Sequence, residues 1–233
     1  MSVRLHSSHA SHVGRVRENN EDSLLDRPGL YAVADGMGGH AAGEIASQIA
    51  IQTLAAWFEI STVGETEMRD AFAAANARIL ENARLNRDRE GMGTTLTALA
   101  FSGDLAVIGH VGDSRCYLVR DGAGKQLTRD HTVAAAYEEA TGQRADPLWK
   151  SQLGNCLGAA RGFHVKTDAR VFPCVPGDVL VLCTDGIADY ADAGDVARIA
   201  RGVDSDRLAM ALVEQALARG GHDNATAVVI EVE

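Results

Sequence analysis

Membrane, disulfide and DNA-binding signals are all missing from this 233-residue chain. No apolar run approaches the roughly 18 residues that a spanning helix needs. The first residues, Met1 to Ser11, are polar and lack the apolar core of a signal peptide. The four cysteines, Cys116, Cys156, Cys174 and Cys183, are widely spaced and form no C-x-x-C pair. They fit small buried hydrophobes rather than a disulfide or zinc framework. Basic charge is also in deficit: 22 Lys and Arg face 32 Asp and Glu, for a net charge of −10. Duplex DNA needs a basic surface to displace counterions, so nucleic acid is excluded as a partner. An acidic chain can still bind phosphate if metal ions or one well-placed Arg supply the positive charge. Aromatics are sparse at 5% and proline is rare at 4 residues. The expectation is a cytoplasmic, reduced protein, monomeric and without membrane attachment.

What the chain does have is apolar content of 46% and 24 glycines, placed at turns rather than in low-complexity tracts. At this length one large domain, residues 1–233, can bury a full core. No internal repeat or linker divides it, and the last strand is expected to end the chain without a tail.

Apolar runs predict strands at Leu30 to Ala34, Leu105 to Val111, Asp178 to Thr184 and Ala225 to Val232. Others are predicted at Val3 to His9, Ser23 to Asp26, Gly93 to Phe101, Cys116 to Val119 and Val165 to Val171. His6, His9 and His12 fall three apart, which on a strand sends successive side chains to opposite faces. Helices are predicted over Glu44 to Phe58, from Glu65 with a Met68-Phe72-Ala75-Ile79-Ala83 stripe, near Asp195 to Ala200, and at Ser205 to Ala218 with Ser205 as N-cap. Thr132 to Ala140 is a short helix candidate inside an irregular stretch, and residues 132–158 fit a lid over a binding site. Strands apolar on both faces need cover on both. The fold class expected is therefore α+β, a four-layer α-β-β-α sandwich of two mostly antiparallel sheets flanked by helix pairs.

Acids recur where apolar runs end. Asp35 follows Leu30 to Ala34, Asp113 follows Leu105 to Val111, and Asp185 follows Val179 to Thr184. Asp223 precedes the last strand, and Glu21-Asp22 precede the second. A single Asp-Gly is an ordinary turn dipeptide. Asp35-Gly36, Gly112-Asp113 and Asp185-Gly186, each abutting a strand, are not explained that way. If these ends meet, the carboxylates repel one another and raise each other's pKa values. Divalent cations remove that penalty, and an all-oxygen set without Cys or a His cluster points to Mg²⁺ or Mn²⁺ rather than Zn²⁺.

The stretches that carry these acids stand in a definite order. They are Val16-Arg17-Glu18-Asn19-Asn20-Glu21-Asp22, Ala34-Asp35-Gly36-Met37-Gly38-Gly39-His40, Gly91-Met92-Gly93-Thr94-Thr95, Val111-Gly112-Asp113-Ser114-Arg115, Leu127-Thr128-Arg129-Asp130-His131, Cys183-Thr184-Asp185-Gly186 and His222-Asp223-Asn224-Ala225-Thr226. The chain resembles, end to end, the bacterial branch of the metal-dependent protein serine/threonine phosphatases, the protein phosphatase 2C-like or PPM family. The resemblance implies that Asp35 bridges two Mn²⁺ or Mg²⁺ ions, with the Gly36 carbonyl on the second. Asp185 and Asp223 would hold the first ion. Glu21 and Asp22 would act near the pair through bound water, and Asp113 with Asp185 would form a weaker third site. Arg17 would grip the substrate phosphate, catalytic and substrate-binding at once. His40 is placed either at the leaving group as a proton donor or in a structural role beside the site.

The activity implied is direct in-line hydrolysis of phosphoserine and phosphothreonine by a hydroxide bridging the two ions, opposing a bacterial Ser/Thr kinase or acting on its targets. Two ions roughly 4 Å apart suit that reaction. No cysteine stands in a C-x5-R phosphate cradle. The departure from the family lies in the lid: Glu138-Glu139-Ala140-Thr141-Gly142-Gln143 and Asp146-Pro147-Leu148-Trp149 match its helical flap poorly, while the closing Asn155-Cys156-Leu157-Gly158 survives. A non-catalytic phosphoprotein-binding module is the competing class, and the intact acid set argues against it. A stress-response phosphatase of the same fold is weaker still, because that branch usually lacks the Arg17-type clamp.

Overall fold

Alternation along the strands divides their apolar residues between two buried faces. The computed structural model describes residues 3–38, 42–158 and 165–233. Strand β3 (Leu30–Met37) shows the division. Leu30, Ala32 and Ala34 pack under helices α1 (Ala42–Trp57) and α2 (Glu65–Leu85). Tyr31 and Val33 point the other way, into a cluster shared with the opposite sheet.

The sheet that contains β3 runs in the order β2 (Asp22–Arg27), β3, β5 (Leu96–Ser102), β6 (Leu105–Val111), β9 (Asp168–Pro173), with the short β4 (Gly93–Thr94) beside β3. The second, five-stranded sheet runs β1 (Leu5–His12), β11 (Ala225–Val232), β10 (Val179–Cys183), β7 (Arg115–Arg120), β8 (Ala123–Gln126). The pairings are antiparallel. On β11, Val228, Ile230 and Val232 enter the cluster between the sheets. Ala225, Ala227 and Val229 face helices α5 (Ala193–Ala200) and α6 (Ser205–Ala218). Helix pair, sheet, sheet and helix pair are the four predicted layers. The Met68, Phe72, Ala75, Ile79 stripe of α2 is buried as its spacing predicts. The outer edge of β9 is closed by α2: Arg69 donates to the Ala169 carbonyl at 2.7 Å, and Glu65 accepts from the Val171 amide at 3.1 Å. An edge whose backbone groups are occupied offers no template for stray pairing.

Several elements differ from the sequence expectation. Strand β3 continues through Asp35 and Gly36 to Met37, so these residues lie inside it rather than after it. The expected strand from Gly93 to Phe101 is broken at Thr95, whose amide donates to the Asp35 carbonyl and whose hydroxyl accepts from the Asp35 amide. Strand β8 was not expected, because Ala-Gly-Lys-Gln carries no apolar pattern. It forms because Asp121 and Gly122 both take positive φ, of 52° and 73°, which suits a tight hairpin turn and delivers Ala123 opposite Arg120. The N-cap of α6 is Asp204 rather than Ser205, whose hydroxyl is used on Glu231. Beyond β8, α3 (Val133–Thr141) is capped by the Thr132 hydroxyl, and the single-turn helix α4 (Asp185–Ala188) follows β10 directly.

Phe72 is fully buried where α2 meets its sheet. Phe72→Ala is expected to lower unfolding free energy by about 3–5 kcal/mol in urea. Ile60→Ala, at a side chain 91% exposed, should stay within about 0.5 kcal/mol.

Candidate metal centre

Strand periodicity decides where the acids go. Asp35 falls on the same face of β3 as Tyr31 and Val33, and Asp22 on the same face of β2 as Leu24. Both therefore point into the gap between the sheets, at the end where β3 and β10 finish. In register, Asp22 stands directly opposite Asp35. Like charges so placed are destabilising. Asp185 starts α4 at the end of β10, close enough for its charge to raise the pKa of Asp35. Asp113, on the turn after β6, is close enough to feel the charge of Asp185. Asp223 and Glu21 lie at the rim; Arg17 donates to Asp223 Oδ2 at 2.7 Å, and its charge is felt by Glu21. The structure thus gathers Arg17, Glu21, Asp22, Asp35, Asp113, Asp185 and Asp223 at one end of the sandwich. His40 lies outside the described residues.

Burial is the main cause of the shifted acid strengths. It raises Asp35 well above the usual carboxylate range, and the charges of Asp22 and Asp185 raise it further. Asp22 and Asp185 are also raised chiefly by burial. Asp113 is pushed up to about 7, by burial and then by Asp185 and Asp130. Asp22 Oδ1 and Asp185 Oδ1 are buried with no hydrogen-bond partner. A buried oxygen without a donor is costly unless something positive meets it.

The residues around the acids hold them without neutralising them. The Thr95 hydroxyl accepts from the Asp35 amide at 2.9 Å and is linked to the Ser114 hydroxyl at 2.8 Å. Thr94 donates to the Asp35 carbonyl at 2.8 Å, and Thr184 to Asp22 Oδ2 at 2.9 Å. Asn224 fixes the Arg17 loop, accepting from the Glu21 amide and donating to the Val13 and Asn19 carbonyls. Gly36 is obligatory: a Cβ there would lie 2.2 Å from the Gly43 carbonyl oxygen and 2.6 Å from that of Glu21. The sequence reading assigned these hydroxyl and amide residues no role. They stood in the same motifs as the acids, but nothing local says which carboxylate a threonine will meet.

Among the described residues, no three His, Cys, Asp or Glu side chains stand close enough together to hold an ion by themselves. The acids share one electrostatic environment yet remain an open set. Such a set fits Mg²⁺ or Mn²⁺, which accept few carboxylates and keep water in their shells. The orphaned oxygens and the all-oxygen chemistry agree with that fit. The thiols play no comparable part. Burial raises the pKa of each, to about 11 for Cys174 and about 12 for Cys183, so they stay protonated. Beside the acids opens a cleft of about 550 Å³, running from Asp113 and Asp185 past Glu138 of α3 to Arg219.

The protein phosphatase 2C family model matches residues 11–219. The serine/threonine protein phosphatase PstP of Mycobacterium tuberculosis is 38% identical over 222 residues, covering 94% of this chain and 43% of that protein. The chain therefore spans less than half of the mycobacterial relative's length. The serine/threonine phosphatase Stp of Listeria innocua is 31% identical over 241 residues, 97% of this chain and 96% of its own. A crystal structure of the PstP catalytic domain in complex with two manganese ions superposes with a TM-score of 0.90, at 37% identity and 99% coverage of both chains.

The raised acids make a pH prediction. A carboxyl that binds its proton more tightly when folded stabilises the protein at low pH and loses that contribution as pH rises through the folded value. For Asp113 the window runs from its ordinary 3.8 to about 7. The metal-free protein should therefore lose stability from these groups as pH rises across that window. At pH 7.5, MnCl₂ at about 100 times its Kd should restore about 2.7 kcal/mol, an increase in melting temperature of roughly 5–10 °C. Scanning calorimetry with and without EDTA measures both.

Proposed function

The chain belongs to the protein phosphatase 2C family, and on that premise we propose that it is a metal-dependent protein serine/threonine phosphatase. The observation that carries the proposal is the partly buried, mutually repelling acid set with buried, unpartnered oxygens on Asp22 and Asp185. Asp35 would hold the ion pair, with the Gly36 carbonyl beside it. Asp185 and Asp223 would hold one ion, and Glu21 and Asp22 would act near the pair through water. Asp113 with Asp185 would hold a weaker third ion. Two Mn²⁺ or Mg²⁺ ions, when bound, supply a nucleophile from water near neutral pH and offset the phosphoryl charge.

The chain's own residues do the rest. Arg17 sits about half exposed at the rim, facing Asp223, Asp35 and Glu21. Its planar donor pair suits two phosphoryl oxygens at once. The Thr94–Thr95 pair and Thr184 keep Asp35 and Asp22 from shifting as charge moves through the site. Preorganisation of this kind lowers the barrier because nothing has to reorient during reaction. Residues 132–158 act as a flap on one side of the 550 Å³ cleft, which receives the protein chain carrying the phosphoresidue. The whole of residues 1–233 works as one catalytic unit. Substrates are phosphoserine and phosphothreonine proteins, and the enzyme opposes a bacterial Ser/Thr kinase in the cytoplasm. No helix among the described residues is long and apolar enough to cross a membrane, in keeping with that setting.

Phosphate release from a phosphothreonine peptide should require Mn²⁺ or Mg²⁺ and stop with EDTA. Asp35→Asn and Asp185→Asn should abolish turnover while leaving the metal-free protein as stable as the parent or more so, because each removes a repelling charge. Full activity in either variant sinks the metal assignment. Arg17→Ala should lower kcat/KM by roughly 10–100-fold, mostly through KM. An unchanged KM removes Arg17 from the phosphate.

A further inference from the structure

His131 touches both the base of the 132–158 flap and the turn carrying Asp113. Its ring Nδ1 accepts from the Gly112 amide at 3.2 Å and from Asn155 Nδ2 at 2.9 Å. With Nδ1 accepting, the proton sits on Nε2, which donates to Asp168 Oδ2 at 3.2 Å. The His131 backbone repeats the grip: its amide donates to the Gly112 carbonyl at 2.8 Å, and its carbonyl accepts from the Gly154 amide at 2.8 Å. Thr132 pairs with Leu153 just beyond, so both strands of the flap's base meet at this residue.

Gly112 has nowhere else to go. Its φ is +111°, and a Cβ would lie 2.5 Å from Thr95 Cγ2. Thr95 holds the turn on one side, and also holds Asp35; His131 holds it on the other. The His131 ring is supported in turn by His110, with ring centroids 4.7 Å apart. His110 donates through Nε2 to the Arg129 carbonyl and accepts from the Thr97 hydroxyl, and burial keeps it neutral, lowering its pKa to about 4.

We propose that His131 is a positioning residue that couples the seating of the flap to the placement of Asp113, by clamping Gly112 from the flap's base. It touches no substrate. Its effect passes through Gly112 to Asp113 and so to the weaker ion position, and the inference rests on the reading of Asp113 as a ligand there. A disturbed flap loosens Asp113, and an ion drawn to Asp113 tightens the flap's base.

The test uses the full chain, stripped of metal and titrated with MnCl₂ by calorimetry. His131→Ala removes the acceptor, whereas His131→Asn keeps an amide oxygen near the Nδ1 position. The Ala variant should bind the weakest Mn²⁺ about tenfold less tightly and leave the tighter ions within about twofold, with the Asn variant between it and the parent. Amide exchange of Gly112, followed by NMR, should speed up about tenfold in the Ala variant. In an Asp113→Asn background, adding His131→Ala should change Mn²⁺ affinity by less than about twofold, since linked residues are not additive. Asn155→Ala, which leaves His131 in place, should weaken the same ion and carries the test if His131→Ala does not fold. Unchanged Mn²⁺ binding with a protected Gly112 amide overturns the proposal, as does an additive loss in the Asp113→Asn background. Loss of the phosphatase reading itself would appear as absence of turnover in the parent, while the Mn²⁺ and exchange measurements still decide on His131.

Discussion

The fold forces carboxylates together and then declines to neutralise them. Asp22 and Asp35 are opposite each other in register, Asp185 is near enough to raise the pKa of Asp35, and all three are partly buried. Two like charges about 4 Å apart repel by roughly 4 kcal/mol at an effective dielectric near 20. That cost is carried by the rest of the sandwich, whose three apolar clusters lie between the sheets and under each helix pair. Stability and cation binding are therefore linked, because an ion that meets the acids relieves a strain already present in the folded chain.

The distribution of arginines fits this economy. Arg115 is committed to Asp130 and to the carbonyl of Ala188, and Arg120 to the fully buried Asp178. Both pairs lock elements that frame the site, yet neither guanidinium reaches the central acids. Thr94 and Thr95 hold the backbone of Asp35, and the Thr184 hydroxyl donates to the Asp22 carboxylate. Neutral partners fix a carboxylate in place and leave its charge available. Had an arginine been paired with Asp35, a cation would have had nothing to gain there. Arg17 is the exception, and it stands at the half-exposed rim where a phosphate would arrive.

Much of this was legible beforehand, for identifiable reasons. Helix α6 and strand β11 fall where expected because their apolar spacing is regular and glycines flank them. Asp35, Asp113, Asp185 and Asp223 were visible because each interrupts or borders an apolar run. What escaped lacked a local signal. Strand β8 is polar and exists through its turn. Thr95 leaves its strand to satisfy Asp35, a residue 60 positions away. The Ser205 hydroxyl goes to Glu231, and Asp204 stands at the N-cap position without a side-chain capping bond. The 132–158 segment has no sustained period, and its order comes from His131, Thr94 and Asn155 rather than from a core of its own.

By itself the amino-acid sequence determined the layers and the identity of the acids. Period-two and helical spacing settle which faces are buried, and an Asp bordering an apolar run lies at or near the end of that strand. Only the tertiary structure decided that those ends meet. The register of β2 on β3, the Thr184 bond to Asp22 and the Arg17 bond to Asp223 join residues up to 206 positions apart. No local pattern encodes such distances. They are set when two sheets close on a shared apolar layer and leave the acids at its open end.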